Sequence, residues 1–489
     1  MWGQLPYIAR LEKAGIPTVL IDLEDQHNMV VQEAMASGVP KVRFMPASRT
    51  LPGPRDVDKW IEALFDALTR PLTDEEKQSG FFSPSQERVL FEGTLDEAQD
   101  FYQQTRYVPR PVDAELAVYT DGFPIVIPTE ERVAKMLKGT SHRPDEIITY
   151  QKDRPVRLRV EGNRGDVVKF QPRLWTATVE KVAINAVMAG CKPEHLPVVL
   201  AIAETGLTTG TTNFPTQVLV LSGPIVKEIG LNTGCGHLGP GSRVNGPIGR
   251  AFQLMALNLG GAIPGVNRMS AHGSPMNNGG MCIGENVDGL PPGWKGLNEE
   301  HGFRKDESVM VFMTIGNHGG ILGHEFSPGG YRALQKSGHG GIARRLGVKG
   351  KPGPHNWLEY LFPKLFSITE GGFTLIMIPE MARHLYDIGF KSKDDVYEWI
   401  YKKSFEPLRE YRTRSWPDLT TNGWMGREKT SGKLWKELSD DDMVPVVNEP
   451  FDNCIIVAGG EEEGCIQLTG GRSGFGDLPS AAYSIDAWR

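Results

Sequence analysis

The sequence lacks several features that would assign it to a class at once. It has no apolar run of transmembrane length, and its start has no basic stretch followed by an apolar one, so we expect neither a membrane span nor a signal peptide. It has no excess of basic residues: the formal net charge is −7, whereas a general nucleic-acid binder carries a basic surface. These absences predict a protein that binds neither a membrane nor nucleic acid.

Cysteine is scarce. The five cysteines are scattered along the chain: Cys191, Cys235, Cys282, Cys454 and Cys465. No CxxC pair occurs, which argues against a zinc ribbon and against a thioredoxin-type dithiol. An odd, scattered set of thiols fits a reducing compartment, so the sequence predicts a cytoplasmic protein.

Glycine and proline, in contrast, are abundant. The 489-residue chain holds 57 glycines and 35 prolines, and it shows no internal repeat of fixed period. Glycine and proline cluster at 205–213, 229–249, 260–293 and 316–353. Glycine-rich loops on a regular scaffold are where proteins commonly hold ligands, so we expect a small-molecule substrate in these loops.

The chain is too long for one ordinary core, and two stretches alternate helix and strand patterns. In the first, residues 1–80, the pattern predicts helices at 5–14, 25–37 and 57–68 and strands at 16–22 and 41–45. In the second, residues 171–489, it predicts strands at 196–204, 216–223, 308–316, 373–379 and 453–460, and helices at 179–190, 247–259, 354–367, 380–388 and 393–410. Residues 81–170 are less regular and are predicted to be an insertion or connector. The predicted fold is a multidomain α/β protein: a Rossmann-like N-terminal unit with a parallel sheet, and a larger α/β sheet domain carrying the glycine-rich loops.

The segment NTGCGHLGPGSRVNGPIGRA (232–251) leads from a glycine-rich loop into an apolar helix. Asn245 or Gly246 is the predicted N-cap, and Pro247 suits the first helical turn. Backbone N–H groups and the helix dipole favour an anion there, and two arginines could bind its carboxylate or phosphate. The structural alternative is a tight turn whose arginines pair with acids. The predicted substrate-binding residues are Asn232, His237, Arg243, Asn245, Arg250 and Asn286.

Two cysteines are candidate nucleophiles. Cys235 lies two residues before His237; a thiolate near an imidazolium could be a nucleophile, both residues could be metal ligands, or they could be a small buried cysteine and a solvated histidine. Cys282 is predicted to lie in a loop, close to Glu285. In the enzyme hypothesis, one of these two thiols attacks the substrate, and we expect Cys282 to matter more.

A histidine-rich loop follows the strand predicted at 308–316. Polar groups just past the carboxyl end of a strand are where open α/β sheets place their sites. Glu285, His318 or Glu325 is therefore predicted to be the acid or base. His318, His324 and Glu325 are also compatible with a divalent metal, although their spacing matches no HExxH motif.

One part of the sequence resembles a known family. The segment LEKAGIPTVLIDLEDQHNMVVQEAMASGVPKVRF (11–44) is similar to the UGSC-motif selenoprotein-related proteins and, more distantly, to the B subunit of glycine reductase. Residues 173–489 resemble a group found with such domains, through TVEKVAINAVMAGCKPEHLPVVLA, GPGSRVNGPIGRA, MCIGEN, PEMARHLYDIGFKSKDDVYEWI and VAGG. The resemblance implies reductive or lytic cleavage of a carbon–heteroatom bond. It also implies a redox Cys or Sec motif before residue 11, where this sequence has no cysteine.

Three functions therefore stay open. The first is an enzyme acting on a small polar, anionic substrate, with the loops at 232–250, 272–286 and 316–325 meeting in one pocket. The second is a metal-dependent hydrolase or lyase whose metal activates water. The third is a non-catalytic subunit of a redox complex. In the resembling families, a strand and the Cys or Sec loop precede the helix that ends at AGIPT. We therefore expect a homo-oligomer, or a hetero-oligomer with a small subunit that supplies this first strand and the Cys motif.

Overall fold

The structure is a computed structural model of the chain. It describes residues 5–24, 27–47, 54–77, 87–108, 112–152, 163–206, 216–264, 268, 280–315, 343–344, 347–360, 373–414, 420–421, 425–447, 450, 453–460, 466–470 and 481–489. The chain divides into two compact units: unit 1 is Met1–Thr149, Asp166–Phe214 and Ala251–Asn278, and unit 2 is Tyr150–Gly165, Pro215–Arg250 and Gly279–Arg489. Three segments distant in sequence build each unit.

Unit 1 is mixed α/β. Its elements in chain order are α1 (Leu5–Lys13), β1 (Leu20–Leu23), α2 (His27–Ala36), β2 (Phe44–Ala47), α3 (Pro54–Thr69), α4 (Leu95–Tyr102), β3 (Thr105–Val108), β4 (Ala114–Ala117), α5 (Glu130–Met136), α6 (Val179–Met188) and α7 (Leu196–Ala203). β1 and β2 pair in parallel, as the alternation of helix and strand predicted. Gly15 and Gly38, just after α1 and α2, have φ of +82° and +80°. Glycine adopts this left-handed conformation without strain, which explains why both helices end where predicted.

One predicted strand of this unit is wrong. Residues 196–204 are predicted as a buried strand, but Leu196–Ala203 form α7, with every residue of the helix buried. A short, continuous apolar run has no period that separates a buried strand from a buried helix. Pro197 fits the first turn of a helix, and α7 packs against α6, whose own apolar stripe is buried as predicted. Glu204, expected at a strand end, therefore directly follows a helix.

Unit 2 contains most of the described strands. Continuing in chain order, the elements are β5 (Thr216–Ser222), α8 (Ile225–Glu228), α9 (Asn245–Asn258, of which residues from Ala251 onward belong to unit 1), β6 (Met281–Gly284), α10 (Leu297–Glu300), β7 (Val309–Ile315), β8 (Phe373–Met377), α11 (Pro379–Asp387), α12 (Lys393–Lys403), β9 (Phe405–Pro407), α13 (Leu408–Arg414), β10 (Met443–Pro445), β11 (Cys454–Val457), β12 (Ile466–Gly470) and β13 (Ala481–Ser484). None of the described helices is long and apolar enough to cross a membrane.

The described strands of unit 2 form small sheets, two of which are mixed and one of which, β9 with β10, is antiparallel. One has the order β13-β7-β5-β6, with β5 parallel to β6 and antiparallel to β7. Another has the order β11-β8-β12, with β11 parallel and β12 antiparallel to β8. The protein is thus mixed α/β, as predicted at this level.

The helix predicted over 393–410 is interrupted. It ends at Lys403, and the short strand β9 separates it from α13. The interruption contains Pro407, which cannot donate a backbone hydrogen bond and disfavours helical geometry in the residue before it. The predicted helix 354–367 is described only up to residue 360.

Candidate functional site

The glycine-rich segment 232–244, called the Cys235 loop below, is shaped by hydrogen bonds within itself. The side chain of Asn232 accepts a hydrogen bond from the N–H of Gly234 at 2.9 Å and donates one to the carbonyl of Cys235 at 3.1 Å. Gly236 and Gly241 have φ of +71° and +105°, which other residues adopt only with strain. Asn232, predicted to bind substrate, therefore holds the backbone that carries Cys235.

Asn245, the first residue of α9, joins the Cys235 loop to β6. Its Oδ1 accepts hydrogen bonds from the N–H of Asn232 at 2.9 Å and from the hydroxyl of Ser242 at 2.6 Å. Its Nδ2 donates to the carbonyls of Asn232 at 3.0 Å and of Cys282 at 3.1 Å. Asn245 was predicted to be an N-cap or a substrate ligand, but its amide is engaged in these four contacts and holds the loop in place.

The ends of β6 and β11 form the other side of the site. The two ends are in contact: the N–H of Asn286 donates to the carbonyl of Val457 at 2.7 Å. A Cβ added to Gly284 would lie 2.6 Å from the end of the Leu231 side chain, so a larger residue at 284 would require that side chain to shift.

The two glycines after β11 approach the Cys235 loop still more closely. The N–H of Gly459 donates to the carbonyl of Thr233 at 2.8 Å. A Cβ on Gly460 would lie 2.7 Å from both the Cβ and the backbone nitrogen of Cys235. Real Cβ atoms do not come so near, so only glycine at 460 lets the strand end and the Cys235 backbone meet as they do. In the sequence, these glycines end the predicted strand 453–460 and belong to the VAGG segment of the resemblance, and neither feature indicates this contact.

Cys235 and His237 differ in exposure. Cys235 is exposed, so its thiol is accessible to a small molecule. The Nε2 atom of His237 is buried and has no hydrogen-bond partner among the described residues. Burial lowers the pKa of His237, and a hydrogen bond to the backbone of Gly234 opposes this to a smaller extent. The lowered pKa favours the neutral form of the imidazole.

Cys282, predicted to be the more important nucleophile, is not in a loop. It lies in β6 and is 4% exposed, and its carbonyl is one of the two that Asn245 contacts. The prediction of a loop is wrong because three apolar residues between glycines are too few to show an alternating pattern, whereas pairing with β5 makes them a strand. Burial in a strand removes the access that a nucleophile requires.

Glu285, predicted to be an acid or base, is completely buried. Its Oε1 accepts a hydrogen bond from the ammonium of Lys393 at 3.0 Å. Its Oε2 accepts from the hydroxyl of Ser222 at 2.6 Å and from the N–H of Leu297 at 2.7 Å. A carboxylate with three such donors is suited to anchoring the end of a strand. Lys393 and Ser222 were not identified from the sequence.

Asn286 also has a structural contact. Its Oδ1 accepts a hydrogen bond from the N–H of Gly289 at 3.0 Å and so caps a short 3-10 turn. At the start of α9, the N–H groups of Val244 and Asn245 donate to the hydroxyl of Ser242, so this hydroxyl occupies part of the predicted anion site.

The two arginines of the predicted anion site differ in exposure. Arg243 is exposed, and Arg250 is half-buried on α9. The exposed guanidinium of Arg243 can reach an anion that approaches the Cys235 loop from solvent.

Several predicted site residues lie outside the described residues: His318, His324 and Glu325, together with most of the loops at 272–286 and 316–325. Within the described part of the chain, no group of three or more His, Cys, Asp and Glu residues could hold a metal ion. Of the three loops expected to converge, the structure brings together the Cys235 loop and residues 281–286, and adds the glycines after β11.

The chain was compared with known proteins. No protein-family model, no curated protein and no solved structure matches it.

Proposed function

We propose that this protein is an enzyme that cleaves a carbon–heteroatom bond in a small anionic molecule, with the thiol of Cys235 as nucleophile and His237 as base. One observation carries the proposal: His237, whose pKa is lowered by burial and whose buried Nε2 has no hydrogen-bond partner among the described residues, stands two residues along the chain from an exposed thiol. A thiol is nucleophilic only as thiolate, and an adjacent base is one way to generate it.

The chemistry follows from these two groups. His237 takes the proton of the thiol, and the sulfur attacks the substrate carbon. The carbon–heteroatom bond breaks, and its electron pair leaves with the heteroatom, which takes the proton back from His237. Water must then release the sulfur-bound product, which favours a carbonyl-type carbon, because a simple thioether would not be hydrolysed. The positive charge of Arg243 would attract the anionic part of the substrate.

The reductive form of this cleavage, which the sequence resemblance implies, has a further requirement. Breaking the bond reductively consumes two electrons. A second thiol, on this chain or on a partner chain, would have to supply them. Hydrolytic cleavage, in which water releases the product, has no such requirement. The Cys235 loop offers a nucleophile and a base for it, so we propose the hydrolytic form.

The first test measures thiol reactivity by alkylation with iodoacetamide, quantified for each cysteine by peptide mass spectrometry. Cys235 should react fast and Cys191 slowly, because burial raises the pKa of Cys191 to about 12. His237→Gln should slow alkylation of Cys235 about tenfold or more, since a positioned general base contributes about 10²–10⁴-fold. Equal rates in the wild type and His237→Gln would refute the pairing of thiol and base.

The second test addresses the charge of the substrate. Iodoacetate is anionic and iodoacetamide neutral, so the ratio of their rates at Cys235 reports attraction of anions. The ratio at Cys235 should exceed the ratio for free glutathione, and it should fall in Arg243→Gln. It should not fall in the control Arg304→Gln, because Arg304 is an exposed arginine that pairs with Asp306. Turnover is then sought with small carboxylic acids that bear an amide or ester, with Cys235→Ser as the inactive control. An unchanged rate in Cys235→Ser would remove this thiol from the mechanism.

A further inference from the structure

α12 places a charged side chain in the interior of unit 2. Lys393 is 2% exposed, and its ammonium donates to Glu285 at 3.0 Å and to Glu300 at 2.9 Å. Burial by itself would lower the pKa of Lys393, but the two carboxylates outweigh it and raise the pKa above its usual value. The ammonium therefore stays charged and keeps both contacts at neutral pH.

One helical turn further along α12, Tyr397 makes a second set of contacts. Its hydroxyl accepts a hydrogen bond from the N–H of Ile455 at 2.8 Å and donates one to Glu300 at 3.4 Å. Residues four apart lie on the same face of a helix, so Lys393 and Tyr397 face the same neighbours. Burial raises the pKa of Tyr397 well above its usual value, so the hydroxyl keeps the proton that it donates.

These two side chains reach the two strands that build the candidate site. Lys393 binds Glu285, which directly follows the end of β6, and Tyr397 binds Ile455 within β11. Residues at the ends of these strands, Gly284 and Gly459, contact the Cys235 loop. One face of α12 thus contacts both strands, and the ends of these strands in turn contact the Cys235 loop. The contacts are continuous from the helix to the reactive loop.

We propose that Lys393 and Tyr397 are positioning residues: α12 fixes the ends of β6 and β11 relative to each other, and thereby the backbone of the loop that carries Cys235 and His237. This inference rests on the proposed function only in taking the Cys235 loop as the reactive site. It concerns residues that never touch the substrate. Their removal should change the reactivity of a thiol that they do not contact.

The test is a double-mutant cycle between Tyr397 and His237, read as the rate of alkylation of Cys235 by iodoacetamide. Tyr397→Phe removes the contacts to Ile455 and Glu300. It should slow the alkylation of Cys235 about threefold to tenfold, which corresponds to the free energy of one hydrogen bond. The double variant should be no slower than His237→Gln alone, because both substitutions disable the same assistance. The control is Tyr401→Phe on the same helix. The one contact described for the Tyr401 hydroxyl is with Thr430 at 3.5 Å, so this variant should leave the alkylation rate unchanged.

Lys393→Met gives a second reading, with Lys402→Met as its control, since Lys402 is exposed on the same helix and pairs with Glu398 at 2.8 Å. If Lys393→Met does not fold, Tyr397→Phe still decides. Strictly additive effects in the cycle, or an equal rate in Tyr397→Phe and Tyr401→Phe, would overturn the inference. If His237→Gln leaves the alkylation rate of Cys235 unchanged while Tyr397→Phe lowers it, the proposed base is refuted and the positioning role stands.

Discussion

Asn245→Asp is the sharpest test of how the Cys235 loop is held. The substitution keeps the size and shape of the side chain. The new carboxyl can still accept from the N–H of Asn232 and the hydroxyl of Ser242, but as a carboxylate it cannot donate to the carbonyls of Asn232 and Cys282. It therefore loses two of four contacts and places a negative oxygen against two carbonyl oxygens.

The cost can be worked from these contacts. Each lost hydrogen bond is worth about 1 kcal/mol, and a buried carbonyl left without a donor adds to this. Because Asn245 is only 5% exposed, water has little access to replace the amide. We expect the free energy of unfolding to fall by about 2–4 kcal/mol in total. The loss should shrink at low pH, where a protonated carboxyl donates one bond again.

The matched control is Asn286→Asp. The side chain of Asn286 accepts from the N–H of Gly289, which a carboxylate does equally well, so the change should stay within about 0.5 kcal/mol. Urea unfolding of both variants and alkylation of Cys235 in the folded state are the assays. The reasoning is wrong if Asn245→Asp is as stable as the wild type, or if both substitutions cost the same.

Two further predictions concern pH. Burial raises the pKa of Glu300, against a smaller opposite effect of Lys393, so its contribution to stability is present below pH 4.5 and is lost as pH rises through the folded-state pKa. As pH is raised from the acid range towards neutrality, the urea midpoint of the wild type should therefore fall relative to that of Glu300→Gln. A difference between the two midpoints that does not change with pH would contradict this. Burial lowers the pKa of His195, whose Nδ1 accepts from the N–H of Lys192 at 3.2 Å, so stability present above pH 6.5 is lost as pH falls through the folded-state pKa. His195→Asn keeps an acceptor that does not titrate; its melting temperature should fall less on acidification than that of the wild type, and parallel declines would count against this cause.

The sequence determined most of the local structure. Helix ends at Gly15 and Gly38, the buried stripe of α6 and the positions of β5, β7, β8 and β11 all follow from residue period and from the freedom of glycine, which depend on neighbours along the chain. The Cys235 loop could be singled out for the same reason. Its thiol and imidazole stand two residues apart among glycines, a pattern visible without any fold.

Only the tertiary structure decided the rest. α7 is apolar on every side, so its sequence fits a buried strand as well as a helix, and packing against α6 settles the choice. Cys282 is a strand residue because β5 pairs with it, and Asn245 reaches it across 37 residues of chain. Lys393 reads as an exposed lysine at a helix start, since nothing within a few residues indicates the two carboxylates, 108 and 93 residues away, that keep it charged in the interior. Such contacts depend on which distant segments meet, so they cannot be predicted from the residues that neighbour each side chain in the sequence.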